Sequence, residues 1–324
     1  MRTWQIRELR LDDLEEVSEL WNQAMAGAYL MSSVSRDELE SLTFGKQTFG
    51  REASFVAEEG GEIVGFVCSF ASEQLENDTY WHMIVPGWIG ALIVSDPFRG
   101  RGLGSQLLES AEKVHQEKGR LLLFVGGGEG AMGNFLYGLE EGWKDAAQFF
   151  ENRGYSFARR TCFIDIDLAA YEFPQSIKER QRELEAEGFS FGTLREDEEG
   201  ADSQFHLGPQ HLDVEQSVVA TYGDRNVGEV SNIRVQGGQG GYGGIMTHPE
   251  FRRRGIGKVM LATAVGLVKK QGASSMPLWT RPATYETFYA KLGFRVEMNY
   301  DVYAKRLPQD ILSTDWIARY QDPR

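Results

Sequence analysis

The sequence predicts a mixed α/β (α+β) chain built from two successive copies of one fold, each a largely antiparallel twisted sheet flanked by helices. Three observations predict it. Runs with strand periodicity and runs with helical periodicity share each half of the 324 residues. An arginine- and glycine-rich turn recurs, as SDPFRGRGLGSQLL at Ser95–Leu108 and as THPEFRRRGIGKVML at Thr247–Leu261, so that Arg99 aligns with Arg252 at an offset of 252 − 99 = 153. A second pair follows in the same order, QFFENRGYSF at Gln148–Phe157 against TFYAKLGFRV at Thr287–Val296. Two ordered matches in one context mark an internal repeat.

In the first copy, Trp4–Leu9 is an opening strand. Asp12 and Asp13 cap a helix whose apolar residues Leu14, Val17, Leu20 and Trp21 fall at helical spacing. Ser35 caps a second helix through Leu39 and Leu42. Ser54–Glu59 and Ile63–Ala71 are strands joined by Gly60-Gly61, a hairpin signal. The apolar strand Trp88–Val94 ends at an Asp96-Pro97 turn, and Gly102 then opens a helix with Leu103, Leu107, Leu108, Ala111 and Val114 on one face. Leu121–Val125 is a buried strand, Asp145–Asn152 a short helix, and Tyr155–Asp167 the last strands.

Pro174–Glu187 is a polar, charged helix without a broad apolar face and reads as a connector. The expected division is therefore residues 1–170, a helical linker at 171–187, and residues 188–324. The second copy repeats the order in shortened form: strands at Phe189–Leu194, Ser217–Tyr222, Val227–Val235 and Gly243–Thr247, a helix opened by Gly255, a strand at Met276–Thr280, a helix at Thr284–Leu292, and closing strands at Phe294–Ala304.

The net charge is −14, which disfavours binding to phosphate backbones and suits a cationic amine or basic peptide. Cys68 and Cys162 sit in apolar runs and read as buried free thiols, with no metal-ligand spacing around them. The start, MRTWQIRELRLDDLEE, is charged and lacks the apolar core of a secretion signal. No apolar run is long enough to span a bilayer, so a cytoplasmic protein without membrane contact is expected.

The two turns carry the chemistry. Each follows a strand and opens an amphipathic helix with R-x-x-G-x-G. Glycine lets the backbone approach a ligand closely. The first amides of a helix lack internal partners and, with the helix dipole, make a site for a diphosphate. Arg99, Arg101, Arg252, Arg253, Arg254 and Lys258 add positive charge in an acidic chain. A Walker A loop is excluded, because Gly257-Lys258 is followed by Val259. The G-x-G-x-x-G matches at Gly128 and Gly238 read as turns in a chain with 37 glycines.

With the preceding strand, the proline turn and the later F-[FY]-x-x-x-G-[FY] helix, the sequence resembles the GNAT superfamily of acetyltransferases over nearly its whole length, as two tandem copies. The layout with a helical linker resembles that of mycothiol synthase and its relatives. The resemblance implies acetyl-CoA as the acetyl donor and a primary amine of a small molecule or peptide as acceptor, attacking directly without a covalent enzyme intermediate. It implies that Leu92, Ile93 and Val94, and likewise Ile245, Met246 and Thr247, splay from the neighbouring strand to pair with the pantetheine arm, one amide polarising the thioester carbonyl. It places the diphosphate on Arg99, Gly100, Arg101, Gly102, Leu103, Gly104 and Ser105, and on Arg252, Arg253, Arg254, Gly255, Ile256, Gly257 and Lys258. A tyrosine suits the acid that protonates the leaving thiolate. The resemblance puts that acid at Tyr289, where the first copy has Phe150, which cannot donate a proton.

Glu229 is the candidate base by location alone. His248 reads as a turn residue, His206 and His211 as surface residues, and Trp4, Trp21 and Trp81 as packing residues. Leu11–Phe49 is a full-length acceptor segment in the first copy, whereas Arg195–Gln216 is short in the second. Either the first domain completes the pocket or the second copy is not the catalyst; in the latter case water or a residue such as Tyr137 must serve as acid. A pair of non-catalytic acyl-CoA-binding domains, acting as sensor or scaffold, is the alternative function. The tail from Gln309 to Arg324 has amphipathic spacing through Ile311, Trp316 and Ile317, suited to packing on the second domain or on a second copy in a homo-oligomer.

Overall fold

The computed structural model describes residues 4–71, 86–126, 137–195 and 216–308. The chain forms two compact units, one of residues 1–161 with 298–324 and one of residues 162–297. The first unit contains β1 (Gln5–Glu8), α1 (Leu14–Ala24), α2 (Arg36–Leu42), β2 (Phe55–Glu59), β3 (Glu62–Ala71), β4 (Gly87–Val94), α3 (Leu103–Glu117), β5 (Leu122–Val125), the short β6 (Leu139–Glu140), α4 (Lys144–Glu151) and the first part of β7 (Ser156–Asp165). Within β7 the chain passes to the second unit. There it forms α5 (Gln175–Ala186), β8 (Phe189–Arg195), β9 (Gln216–Tyr222), β10 (Arg225–Gln236), β11 (Gln239–Gly241), β12 (Gly244–Thr247), α6 (Ile256–Lys270), β13 (Leu278–Thr280) and α7 (Pro282–Thr284). A π-helical turn, Tyr285–Tyr289, and a 3-10 turn, Ala290–Leu292, follow. β14 (Arg295–Arg306) begins in the second unit and ends in the first.

The expected cap of α1 is not made, because the Asp13 carboxylate is taken by Arg7 and by the Arg10 amide before the helix, but two other local signals act as expected. Ser35 and Glu38 form a reciprocal capping box at the start of α2. Gly60 and Gly61 turn the β2–β3 hairpin at φ 65° and 92°, left-handed values that glycine adopts without strain.

The first sheet runs in the order β1-β2-β3-β4-β5-β14-β7, with β6 on the far end of β14. β4 and β5 pair in parallel, while β1–β2, β2–β3, β3–β4 and β14–β5 are antiparallel. One face packs on α1 and α2 through Trp21, Phe66, Trp88 and Val302. The other packs on α3 and α4 through Leu107, Val67, Ile89 and Phe150. β14 supplies Val302 to one core and Tyr303 to the other, as alternate strand residues must. Sequence reading put these residues in the second copy. The compact units differ because Tyr303 to Arg306 sit opposite Val125 to Leu122, a pairing between distant parts of the chain that no local pattern announces.

The second unit has the sheet β11-β10-β9-β8 with β12 also on β10. β13 pairs with the Cys162–Ile164 end of β7. α6 is the hub of its core, with Val259, Met260, Leu261, Ala262, Ala264, Val265 and Val268 buried. α5 is not a bare connector: Ile177 and Leu184 are buried, and the helix packs on α6 and β8. A stripe of two residues seven apart suffices for burial yet is too thin to register as an apolar face. Cys68 and Cys162 are buried free thiols, and burial pushes the Cys68 thiol up to about 12. No helix among the described residues is long and apolar enough to cross a membrane.

His115 on α3 lies under Gly87 of β4, where a Cβ would come within 2.3 Å of its Nδ1. Arg120 Nη1 is 2.8 Å from that same Nδ1. Arginine only donates, so Nδ1 accepts and the ring is neutral with its proton on Nε2. Burial first, and then the Arg120 charge, lower the His115 pKa from 6.5 to about 3. The unfolded chain binds this proton more readily, so folding stability is present above pH 6.5 and falls as the pH drops toward 3. Denaturant unfolding across that window should show a loss approaching about 1.4 kcal/mol per pH unit from this group, and His115→Gln should flatten it. Val302→Asp should destabilise the first unit by about 3–5 kcal/mol by burying an unpaired charge, seen as faster hydrogen exchange in β2–β5 although the change lies in β14.

Candidate active site

In the first unit the site begins where β4 leaves β5. Three pairs join them, Gly87–Leu123, Trp88–Phe124 and Ile89–Val125. Next, β4 bulges at Gly90, since Cys68 faces Ala91 and Ser69 faces Ile89 across β3. A bulge bends its strand and increases twist. From Gly90 to Val94, β4 keeps β3 on one edge and has no strand on the other among the described residues. An open cleft of about 930 Å³ fills that divergence. Ile89 to Val94, Val125, Phe149 and Phe150 line it, as do Ala24 and Met25 at the end of α1 and Trp143 before α4. The cleft therefore reaches both faces of the sheet, and its size suits a coenzyme-sized ligand.

The turn after β4 closes one end. Gly102 caps α3 at φ 90°. The amides of Gly102, Leu103, Gly104 and Ser105 have no acceptor among the described residues. Gly104 has the Phe149 ring 3.3 Å from where a Cβ would stand, so the cradle is open only because that position is glycine. Arg99 Nε donates to the Val94 carbonyl at 2.9 Å, fixing the turn to the strand end. Arg153 stacks on Phe149 at 3.6 Å and donates to the Ser105 hydroxyl. Arg99, Gly100, Gly102, Gly104, Ser105 and Arg153 line the cleft. Leu103 instead enters the core, and Arg101 lies outside against Trp4 and Phe98 at 5.3 and 5.1 Å.

The second unit repeats this frame atom for atom at several points. Gly255 caps α6 at φ 89°, Arg252 Nε donates to the Thr247 carbonyl at 3.0 Å, and the Phe288 ring lies 3.4 Å from the Cβ position of Gly257. The amides of Gly255, Ile256 and Gly257 have no acceptor among the described residues. Ile245, Met246 and Thr247 lie on β12, which among the described residues pairs with β10 alone. The dressing differs. Arg253 holds φ 63°, where the first copy has Gly100 at 72°. Arg254 pairs with Glu187, and Arg180 of α5 donates to the Arg254 carbonyl. Ile256 is core. Burial first, and then the Lys291 charge, lower the Lys258 pKa; two ammonium groups facing each other at a helix start favour an anion between them.

The catalytic candidates occupy opposite faces of the second sheet. Gly228 faces Met260 of α6, so its neighbour Glu229 points to the other face, where it is 3% exposed. Glu229 stands opposite Met246 as Phe66 stands opposite Ile93 in the first unit. Tyr289 is buried on the α6 side, between the rings of Phe288 and Phe294. Its hydroxyl is 2.6 Å from that of Tyr242, a partner the sequence reading missed. The signal was present: the 153-residue offset aligns Tyr242 with Ile89, a polar-for-apolar change in the strand before the turn. His248 is a turn residue, with Nε2 2.8 Å from Arg225. Trp21 is core, whereas His206, His211, Trp81 and the 309–324 tail lie outside the described residues.

Two family models match the chain: the acetyltransferase (GNAT) family at residues 14–131 and the acetyltransferase (GNAT) domain at residues 213–296. No curated protein matches. Among solved structures, the GCN5-related glucosamine N-acetyltransferase region of a fungal multi-domain β-N-acetylglucosaminidase is similar over 94% of this chain and 38% of that one, at 20% identity and TM-score 0.72. A GCN5-related N-acetyltransferase from Sphaerobacter thermophilus is similar over 96% and 98%, at 16% identity and TM-score 0.64. A tandem GNAT protein from the clavulanic acid biosynthesis pathway is similar over 95% and 100%, at 14% identity and TM-score 0.59. At these identities the likeness is one of fold.

Gly102→Ala should strain the left-handed cap of α3 and destabilise the first unit by about 1–2 kcal/mol, whereas Gly60→Ala, which also has positive φ but lies in the β2–β3 hairpin away from the cleft, should leave CoA affinity unchanged. Denaturant unfolding and calorimetric titration with CoA separate the two effects.

Proposed function

Because the chain belongs to the GNAT acetyltransferase family, with one domain in each half, we propose that this acyltransferase moves an acetyl group from acetyl-CoA to a primary amine of a small molecule or peptide by direct attack. The carrying observation is the cleft of the first unit, which joins four unpartnered helix-start amides to the unpaired edge of a splayed strand. A diphosphate suits the amides and the flanking Arg99 and Arg153. An extended amide-bearing arm suits the free strand edge, which lacks only a neighbour to pair with. The matching turn of the second unit, with Lys258 and Lys291, suits the same group.

The chemistry is assigned to the second unit. Where the first unit has Phe66 and Phe150, the second has Glu229 and Tyr289. Their opposite faces suit their opposite tasks. An amine attacks the thioester carbonyl from one side while sulfur departs on the other. Glu229 takes the amine proton, an amide N–H of β12 donates to the carbonyl oxygen on which negative charge develops, and Tyr289 gives its proton to sulfur. The first unit, with hydrocarbon at both positions, suits holding acetyl-CoA without turning it over. That is the non-catalytic reading, confined to one copy.

A panel of phenethylamine, glucosamine and an alanyl peptide, assayed for thiol release from acetyl-CoA, tests the proposal. Tyr289→Phe should lower kcat by about 100-fold or more while acetyl-CoA still binds in calorimetry. Unchanged turnover in that variant would remove Tyr289 from the mechanism.

A further inference from the structure

The second unit places a buried phenol, Tyr289, against a half-buried one, Tyr242, where the first has only hydrocarbon. Tyr242 aligns with Ile89 by the offset of 153, and Tyr289 aligns with Phe150 by the offset of the second repeated segment, 289 − 150 = 139. Ile89 and Phe150 both line the cleft of the first unit, and Ile89 is the last residue of β4 paired with β5. The second unit parts at the matching point. Gln239 forms a parallel bridge with Ser275, and Gly240 donates to the Ser275 carbonyl at 2.8 Å. β11 then ends at Gly241, and β12 resumes at Gly244. Tyr242 lies in that break, at the fork of the strands.

Packing alone does not call for either hydroxyl, since isoleucine and phenylalanine fill the same frame in the first unit. A buried hydroxyl without a partner costs free energy, so the second phenol satisfies the first. The pair has a further effect. Among the described residues, Tyr242 is the one titratable group that acts on Tyr289, and the rings around it are Phe288 and Phe294. Burial raises the Tyr289 pKa, and the hydrogen bond from Tyr242 lowers it again. Tyr242 is itself held protonated by burial and by Tyr289. Either hydroxyl can donate across this contact, and when Tyr289 gives its proton to another group Tyr242 must be the donor.

We propose that Tyr242 is a positioning residue for the transfer reaction: it donates to the Tyr289 oxygen, turns the Tyr289 hydroxyl proton toward the departing sulfur, and stabilises the phenolate left behind. The inference rests on the reading of Tyr289 as the acid. As the amine nitrogen bonds to the carbonyl carbon, the carbon–sulfur bond breaks and its electron pair stays on sulfur. The Tyr289 proton moves to sulfur, Tyr242 shortens its hydrogen bond to the resulting phenolate, and the proton lost by the amine restores Tyr289 through the base and solvent. The π-helical turn that ends on Tyr289 sets the direction of its ring, a geometry that recurs at functional sites.

Tyr242→Phe keeps the ring and removes the donor. In the full-length chain, with the fastest amine of the panel above, it should lower kcat about tenfold, the loss expected from one hydrogen bond to a charged group. Acetyl-CoA affinity should stay within twofold. The solvent isotope effect on kcat should be smaller in the variant, because the Tyr242 hydrogen bond that shortens in the transition state is gone. Without any substrate, proton NMR should show a slowly exchanging downfield hydroxyl signal that disappears in both Tyr242→Phe and Tyr289→Phe. Unchanged kcat in Tyr242→Phe beside a large loss in Tyr289→Phe would overturn the inference and leave the acid in place. Unchanged kcat in both would overturn the acid itself. Equal losses of kcat and acetyl-CoA affinity would reduce Tyr242 to a packing residue, and absence of the NMR signal from the parent protein would dissolve the pair.

Discussion

A parallel strand pair that stops after three residues governs the first unit. Once β4 bulges at Gly90, its backbone cannot return to β5, and the sheet must carry an unpaired edge in its middle. Buried backbone groups need partners. The remaining features follow from keeping that fork open and supplied: glycines at 102 and 104 bring the helix start up to it, Phe149 walls it, and Arg99 ties the turn to the strand end. His115 and Gly87 fix β4 from below, in contact so close that neither position tolerates another atom.

The two units show how a frame and its chemistry separate. Backbone angles, arginine clamps and ring-on-glycine contacts recur at Gly102 and Gly255, Arg99 and Arg252, Gly104 and Gly257. The side chains facing the fork do not recur. Ile89 and Phe150 are replaced by Tyr242 and Tyr289, and Phe66, opposite Ile93 on β3, is replaced by Glu229 opposite Met246. A carboxylate or phenol in such a place is costly unless paired, and packing offers no reason to place all three where the first unit has hydrocarbon. Proton-donating and proton-accepting side chains held in fixed positions are what acid–base work requires.

Most of the elements were legible because their signals are local. Ser35 with Glu38, Gly60-Gly61, and the glycines that open α3 and α6 each act within a few residues. The two glycine-capped turns that open α3 and α6 were legible for the same reason, and more so because they occur twice. Tyr289 came from its place in a repeated helix. What stayed hidden was non-local or thinly written. The seat of β14 is set by residues near 122–125, far back in the chain, and any strand with its alternation would look the same. Ile177 and Leu184 are the two buried residues of α5. Arg153 and Tyr242 reach the sites by tertiary approach, and Leu103 and Arg101, though inside the motif, turn away from it.

The seat of β14 also orders events during synthesis. β5 must wait for residues 303–306 before its second edge is filled, so the unit made first is the last to close. Domains usually fold as they leave the ribosome, beginning with the earlier one. Here the stretch 162–297 can settle first, while its predecessor stands with a bare edge through about nine to thirty-six seconds of further translation at 5–20 residues per second. The duplicated halves are thus bound to one polypeptide, and a cut between them would leave one half without its own keystone.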